Sequence, residues 1–576
     1  MLHLLLECAC EKEKLFLFSQ FFLVISYNNR QCITFYKIKN MTTRILIISL
    51  LCSGLQILAQ PCLQKQGTAM QLMVKGQPFI MLGGELGNSS ASSAKDLAGI
   101  FPKLKSMNLN TALVPVYWEL FEPEESKFDF SLIDSAIDLA RANNLKIVFL
   151  WFGSWKNSMS CYAPAWIKEN YKKYPRAITQ SKKTLEIMSA FEQNNIIADK
   201  NAFTALLKHI KYYDSTNETV IMIQVENEIG MLESAREYEK RADELFNAQV
   251  PAQLINYLEK NKANLQPSLQ EKWMANGTKT KGTWIDIFGA DIYTDEIFQA
   301  YYYGLYVQQI VQAGKDVYAL PMYLNAALNS RERKPGEYPS AGPLAHLMDI
   351  WCAAAPSVDI FAPDIYDPNF AGWIAQYHTS GNPLFIPEIR LSEDNAVRAL
   401  YAFGEHDAMG FSPFSIEDVE NPETYSLTKC YAILRHLLPL LIENQGKNKM
   451  RGILLEEGQK EQGIEINDYT FTFSHYFSLP WEKQKDSDNC PAVGAIMIEL
   501  SQNEYIIAGS GIVVTFGNTR KNGTITGISR IDQIEINNEE IIPIRRLNGD
   551  QNHQGRHLRI PFGEFQILKV KLYDYN

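Results

Sequence analysis

The chain has 576 residues, 46% hydrophobic and 21% charged, which is enough apolar material for more than one domain. Its formal net charge of -10 comes with no basic run or Lys/Arg stripe, so no nucleic-acid partner is expected. The nine cysteines are scattered, with no CxxC and no Cys/His cluster at zinc spacing, so isolated thiols are expected and neither a metal nor a cofactor.

Residues 1–40 differ from the rest, rich in Phe, Leu, Lys, Asn and Cys without amphipathic period, and read as an upstream extension from a misassigned start. Met41 then opens "MTTRILIISLLCSGLQILAQ". Arg44 supplies a positive start, Ile45 to Leu58 an apolar core, and Ala59 a small residue before a cut at Gln60. Residues 41–59 therefore read as a secretory signal peptide, which places the mature chain in the periplasm or outside the cell. The run "LFLFSQFFLVISY" is short for a membrane span, so no stable span is expected in the mature chain. Bulky Leu51 before Cys52 argues against a lipoprotein anchor. Nothing in the sequence fixes an oligomeric state.

From residue 70 onward, short apolar runs alternate with helical patterns. The runs are "PFIMLGGEL", "NTALVPVYW", "LKIVFLWFG", "TVIMIQVEN", "DVYALPMYL", "VDIFAPDIY", "NPLFIPEIR" and "DAMGFSPFS". Each is nearly continuous in apolar residues, as a strand covered on both faces must be. Stretches such as "SLIDSAIDLARANN" and "AFTALLKHIKYYD" carry apolar residues at helical spacing between them. Eight strand–helix alternations predict a (β/α)8 barrel over residues 60–445, with a long insertion at 231–282 after the fourth strand. Residues 446–576 lose the helical pattern and gain Gly and Asn turn signals, which predicts a smaller all-β, sandwich-like domain.

In such a barrel the active site lies at the C-terminal ends of the strands, so the residues ending each run matter most. They are Glu85, then Trp118 and Glu119, then Trp155, Lys156 and Asn157, then Glu226, Asn227 and Glu228. Asn325, Asp364 with Tyr366, and Glu388 with Arg390 follow. Carboxylates, amides and aromatic rings on one rim suit glycoside hydrolysis. One acid protonates the leaving oxygen, one carboxylate attacks carbon, and rings and amides hold the sugar. Trp155, just beyond its strand, is the expected stacking ring; Glu85, Trp118, Glu119, Lys156, Asn157 and Asn325 are expected around the substrate.

"QVENEIG" on the fourth strand with "FIPEIR" on the seventh resembles the clan A glycoside hydrolases, specifically β-galactosidase families 35 and 42. "LGGELGNSS" and "RRLNGDQNHQGR" are similar to a bacterial family 35 branch with a C-terminal domain of unknown function. The resemblance implies that Glu228 is the acid/base and Glu388 the nucleophile. It implies that Asn227 bonds the sugar 2-hydroxyl and that Tyr366 orients the nucleophile. Glu226 is expected to support rather than to react. Two features depart from the clan: no Arg ends "LVPVYWEL", and "FSPFSIE" lacks the Trp often found at strand eight. Period-2 alternation puts Asn227 and Glu228 on opposite faces, so the strand end must bulge if both are to reach a sugar.

The expected protein is an exported retaining β-galactosidase acting on a carbohydrate substrate. A β-glucosidase, β-xylosidase or β-mannanase, and a non-catalytic sugar-binding barrel, are the alternatives.

Overall fold

A computed structural model describes residues 22–24, 34–36, 60–329, 332–379, 381–477, 490–520, 523–537 and 540–575. The signal peptide at 41–59 lies outside the described residues, as does the extension at 1–40 apart from two short strands. Those strands, Phe22–Val24 and Thr34–Tyr36, pair antiparallel within a first unit, Met1–Ala59. Everything from Gln60 onward forms a second unit.

Eight parallel strands close into a barrel: β1 Met81–Glu85, β2 Thr111–Tyr117, β3 Lys146–Phe152, β4 Val220–Val225, β5 Met322–Ala327, β6 Ile360–Ile365, β7 Ile386–Ile389 and β8 Gly410–Pro413. Seven lie within the runs read from the sequence; the fifth, expected over 316–324, forms at Met322–Ala327 because the preceding helix runs on to Val317. Every residue of β1, β2 and β4 is buried, which explains why those runs are apolar throughout rather than alternating. A helix follows each strand: α1 Ala94–Ser106, α2 Ser131–Ala142, α3 Gln193–Asp214, α4 Ile292–Val317, α5 Met348–Ala354, α6 Phe370–Tyr377, α7 Asn395–His406 and α8 Ser426–Asn444. Ser93 caps α1 by accepting from the Asp96 amide at 3.3 Å. The 26-residue α4 packs on α3 through Gly314, where a Cβ would stand 2.5 Å from the Phe203 ring. Between β4 and α4 the chain inserts four short helices, Lys240–Phe246, Ala252–Asn261, Pro267–Ala275 and Trp284–Phe288.

The C-terminal region is all antiparallel β. A six-stranded sheet runs in the order 450–455, 493–501, 504–510, 566–575, 525–537, 540–547, and a four-stranded sheet faces it. Strand period decides where each side chain goes. Ala495 and Met497 join Phe471, Phe473, Leu568 and Val570 between the sheets. Ile496 and Ile498, on the opposite face of the same strand, join the barrel's own core. The large sheet is therefore covered on both sides, once by its partner sheet and once by barrel helices. Contact with α7 is backbone to backbone. A Cβ added at Gly404 would lie 2.7 Å from the Arg451 carbonyl oxygen, and one at Gly452 2.5 Å from that of Tyr401. No helix among the described residues is long and apolar enough to cross a membrane.

Candidate active site

β4 ends at Val225, and the next residues leave extended geometry: Glu226 has φ 59° and Glu228 φ 45°. Non-glycine residues rarely hold such angles, which cost on the order of 1–3 kcal/mol each and persist where surroundings fix them. Here they are fixed. The Trp155 amide donates to Glu226 Oε2 at 2.8 Å, the Asn227 amide to the Trp155 carbonyl at 3.2 Å, and the Glu228 amide to Asn325 Oδ1 at 3.0 Å. The break in the strand releases Glu228 from the period-2 constraint and turns it towards β5 and β6.

Asn325, on β5 and 2% exposed, is the hub. Its Nδ2 donates to Asp364 Oδ2 at 2.7 Å and to Asn227 Oδ1 at 3.2 Å, while its Oδ1 takes the Glu228 amide. Asp364 on β6 stands in register with Glu388 on β7. Oxygens of Glu228, Asp364 and Glu388 lie within 4.8 Å of one another, and among the described residues no other three ligand-type side chains come so close. No histidine or cysteine joins them. Tyr366 donates its hydroxyl to Glu388 Oε1, with Arg390 over the outer part of its ring. Glu85, from the end of β1, brings its carboxyl into hydrogen-bonding contact with Glu388. Lys156 is the cation facing this set; it is 9% exposed, with its ammonium 4.8 Å from the centre of the Phe152 ring.

Four carboxyls cannot all ionise so close together. Burial, and then the charge of Glu388, push Glu228 up to about 7. Burial also raises Glu388, while the Lys156 charge and hydrogen bonds from Tyr366 and Glu85 pull it back. Glu85 and Asp364 are held well above the ordinary carboxyl range, by burial first and by their acidic neighbours second. The arrangement thus offers one carboxylate supported by donors and one acid that keeps its proton near neutrality.

Not every residue expected at the substrate is brought here. Trp155 is fully buried, its ring edge-on to Tyr303 and Tyr306, so the stacking role expected of it has no open ring face. Trp118 is 1% exposed, with its indole bonded to Glu122 and its ring against Trp151 and Trp166. Glu119 pairs with Lys168 at 3.0 Å instead of facing the cluster. Asn157 closes its own turn by accepting from the Met159 amide and the Ser160 hydroxyl. Asn227 sits in the site but spends its amide on protein, accepting from Gln224 and Asn325 and donating to the Lys156 carbonyl at 2.6 Å. Glu226 points away, against Asp199 on α3.

Two residues absent from the expected substrate set lie within the cluster. Asp364 stands among the strand-end residues of the sequence without an expected role there; Tyr323 shares a strand face with Asn325, so period-2 alternation alone would have found it. Asp199, behind the site, carries no such signal because only the packing of α3 brings it there.

Residues 92–286 match a glycoside hydrolase family 42 sequence family described as "Beta-galactosidase". The chain is similar to the clan A glycoside hydrolases. Residues 427–559 match a separate family described as a domain of unknown function. No curated protein matches the sequence. Among solved structures, a β-galactosidase from Bacillus circulans sp. alkalophilus aligns at 10% identity and TM-score 0.47, over 85% of this chain and 99% of that one. One from the psychrophilic Marinomonas ef1 aligns at 10% identity and TM-score 0.44, over 63% of this chain and 60% of that one. A β-mannanase from the blue mussel Mytilus edulis aligns at 12% identity and TM-score 0.38, over 64% of this chain and 96% of that one. The chain thus spans about 60% of the length of the Marinomonas enzyme. Glu228 follows β4 and Glu388 lies on β7. Lys156, from the loop after β3, places its positive charge near Glu85, Asp364 and Glu388.

Proposed function

We propose that the protein is a retaining β-glycosidase, most specifically an exported β-galactosidase that removes β-galactosyl units from oligo- or polysaccharides. One observation carries the reading: Glu228, just after β4, and Glu388, on β7, have oxygens within 4.8 Å. Retaining enzymes hold their two carboxyls about 5–5.5 Å apart, whereas inverting ones leave about 6.5–9.5 Å for a water. Glu388, supported by Tyr366, attacks the anomeric carbon and forms a glycosyl ester. Glu228 gives its proton to the leaving oxygen, then as carboxylate takes one from the water that cleaves the ester. A value about 7 for Glu228 suits both duties, since it is protonated below neutrality and not too weak a base afterwards. Galactose as the sugar rests on the family likeness, and export on the leader at 41–59.

A panel of nitrophenyl β-glycosides tests the activity and the sugar together. Fastest release from the galactoside is expected, and release from none of the panel overturns the reading. Proton NMR of the first-formed sugar tests the stereochemistry: the β-anomer is expected, and an initial α-anomer means inversion.

A further inference from the structure

The four clustered carboxyls exceed the two that the proposed reaction needs, and Glu85 is the surplus one in direct contact with the nucleophile. Its side chain is 2% exposed, and its Oε2 is sealed from solvent with no protein donor directed at it. No Lys, Arg or His nitrogen lies within ion-pair distance of Glu85 among the described residues. An ionised carboxylate left buried without donors loses its solvation and gains nothing in return. Two carboxyls in contact without a cation between them are stable as one acid and one carboxylate, sharing a proton. Glu388 already has a donor suited to its ionised form in Tyr366.

We propose that Glu85 is an un-ionised carboxylic acid at working pH, and that it positions the nucleophile by donating a hydrogen bond to the Glu388 carboxylate. This rests on the proposed glycosidase reading. The groups facing Glu85 are consistent with it. Glu388 from β7, Glu228 from the end of β4, Asp364 from β6 and Glu417 from the loop after β8 are acidic; Tyr323 and Tyr366 are neutral; Lys156 is the lone cation. When Glu388 becomes an ester it stops being an anionic acceptor, and the Glu85 hydroxyl is then free to turn to a sugar hydroxyl. A neutral acid kept as a donor beside developing charge is an established device in enzyme sites.

The test compares Glu85→Gln and Glu85→Ala with the wild type. Glutamine keeps a neutral donor, so Glu85→Gln is expected to retain at least tenfold more kcat/KM than Glu85→Ala. Both limbs of its pH profile should stay within a few tenths of a unit of wild type. If Glu85 is instead ionised, glutamine deletes a negative charge beside Glu228 and Glu388, and both limbs fall by about one unit. That shift overturns the proposal, and so does a Glu85→Gln variant as impaired as Glu85→Ala. Infrared difference spectra supply a readout independent of turnover. Wild type minus Glu85→Gln at pH 7 should contain a protonated-carboxyl carbonyl band; a carboxylate band in its place refutes the idea. If the wild type cleaves no glycoside, the reading of function fails while the spectrum still decides the protonation of Glu85.

Discussion

A buried acid pair and a cluster of four carboxyls stand on either side of Asn227. Behind Asn227, Glu226 meets Asp199. Asp199 accepts from the Trp151 indole at 2.9 Å, the Ser154 hydroxyl at 2.6 Å and the Tyr306 hydroxyl at 3.0 Å, while Glu226 accepts from the Trp155 amide. In front, Glu228 and Glu388 meet Asp364 and Glu85. There Asp364 Oδ1, Glu85 Oε2 and the Tyr323 hydroxyl are buried without partners, and Tyr366 stays 38% exposed. Glu226 behind and Glu228 in front both sit in low dielectric, and burial raises the proton affinity of each. In the rear pair both Asp199 oxygens are bonded and Glu226 Oε1 alone is left without a partner, so this pair is tied to the protein and braces the bulge. The front set is left with unused hydrogen-bonding capacity, which is what a polar ligand such as a sugar would fill.

The sharpest way to break this contrast is to remove one member from each side. Glu388→Ala should abolish turnover on every substrate, a loss of ~10⁴-fold or more in kcat, because no glycosyl ester can form. Glu228→Ala should lose less on aryl glycosides with good leaving groups and almost everything on disaccharides. Azide should restore it to the β-glycosyl azide, whereas Glu388→Ala should yield only the α-azide, if any. Glu226→Gln should fall short of both losses and show no dependence on leaving group. If Glu226 variants give the β-azide instead, front and rear have been exchanged.

Two smaller effects concern pH. With Glu228 at about 7, kcat/KM should decline as pH rises through neutrality, because the general acid then loses its proton. Stability should respond to the rear pair. Glu226 keeps its proton in the folded chain well above the pH at which an unfolded Glu loses it, so the native state binds more protons than the unfolded one across that interval. Stability is therefore full below the ordinary Glu value and falls as pH rises towards the folded value. Glu226→Gln removes that titration. Its melting temperature should vary less with pH above about 4.5 than that of the wild type, as calorimetry will read.

Much of the architecture was legible because buried parallel strands announce themselves as unbroken apolar runs, and seven of the eight did so in place. Strand-end position, counted along the chain, put Glu228 and Glu388 on the rim among other candidates, and the family resemblance singled them out; the structure brings their oxygens within 4.8 Å. What failed to read was orientation beyond the strand. "SWKN" after β3 looks like an open, sugar-facing loop, yet Trp155 turns inward under Tyr303 and Tyr306, and Asn157 is absorbed by its own turn. Pair choice was equally hidden: Glu119 met Lys168, which nothing in their spacing foretold. Loop side chains take their partners from tertiary packing, and local pattern does not encode that.

The glycine seam between α7 and the large sheet carries a lesson for inheritance and engineering. Gly404 and Gly452 let two backbones touch, and α7 follows directly on the strand that ends in Glu388. A side chain at either glycine, or a foreign β-module with ordinary residues at that position, would have to push α7 outward and drag the strand that carries Glu388 with it. Barrel and sandwich are therefore a matched set, and the place to cut and exchange parts of this protein is in its rim loops, not between its domains.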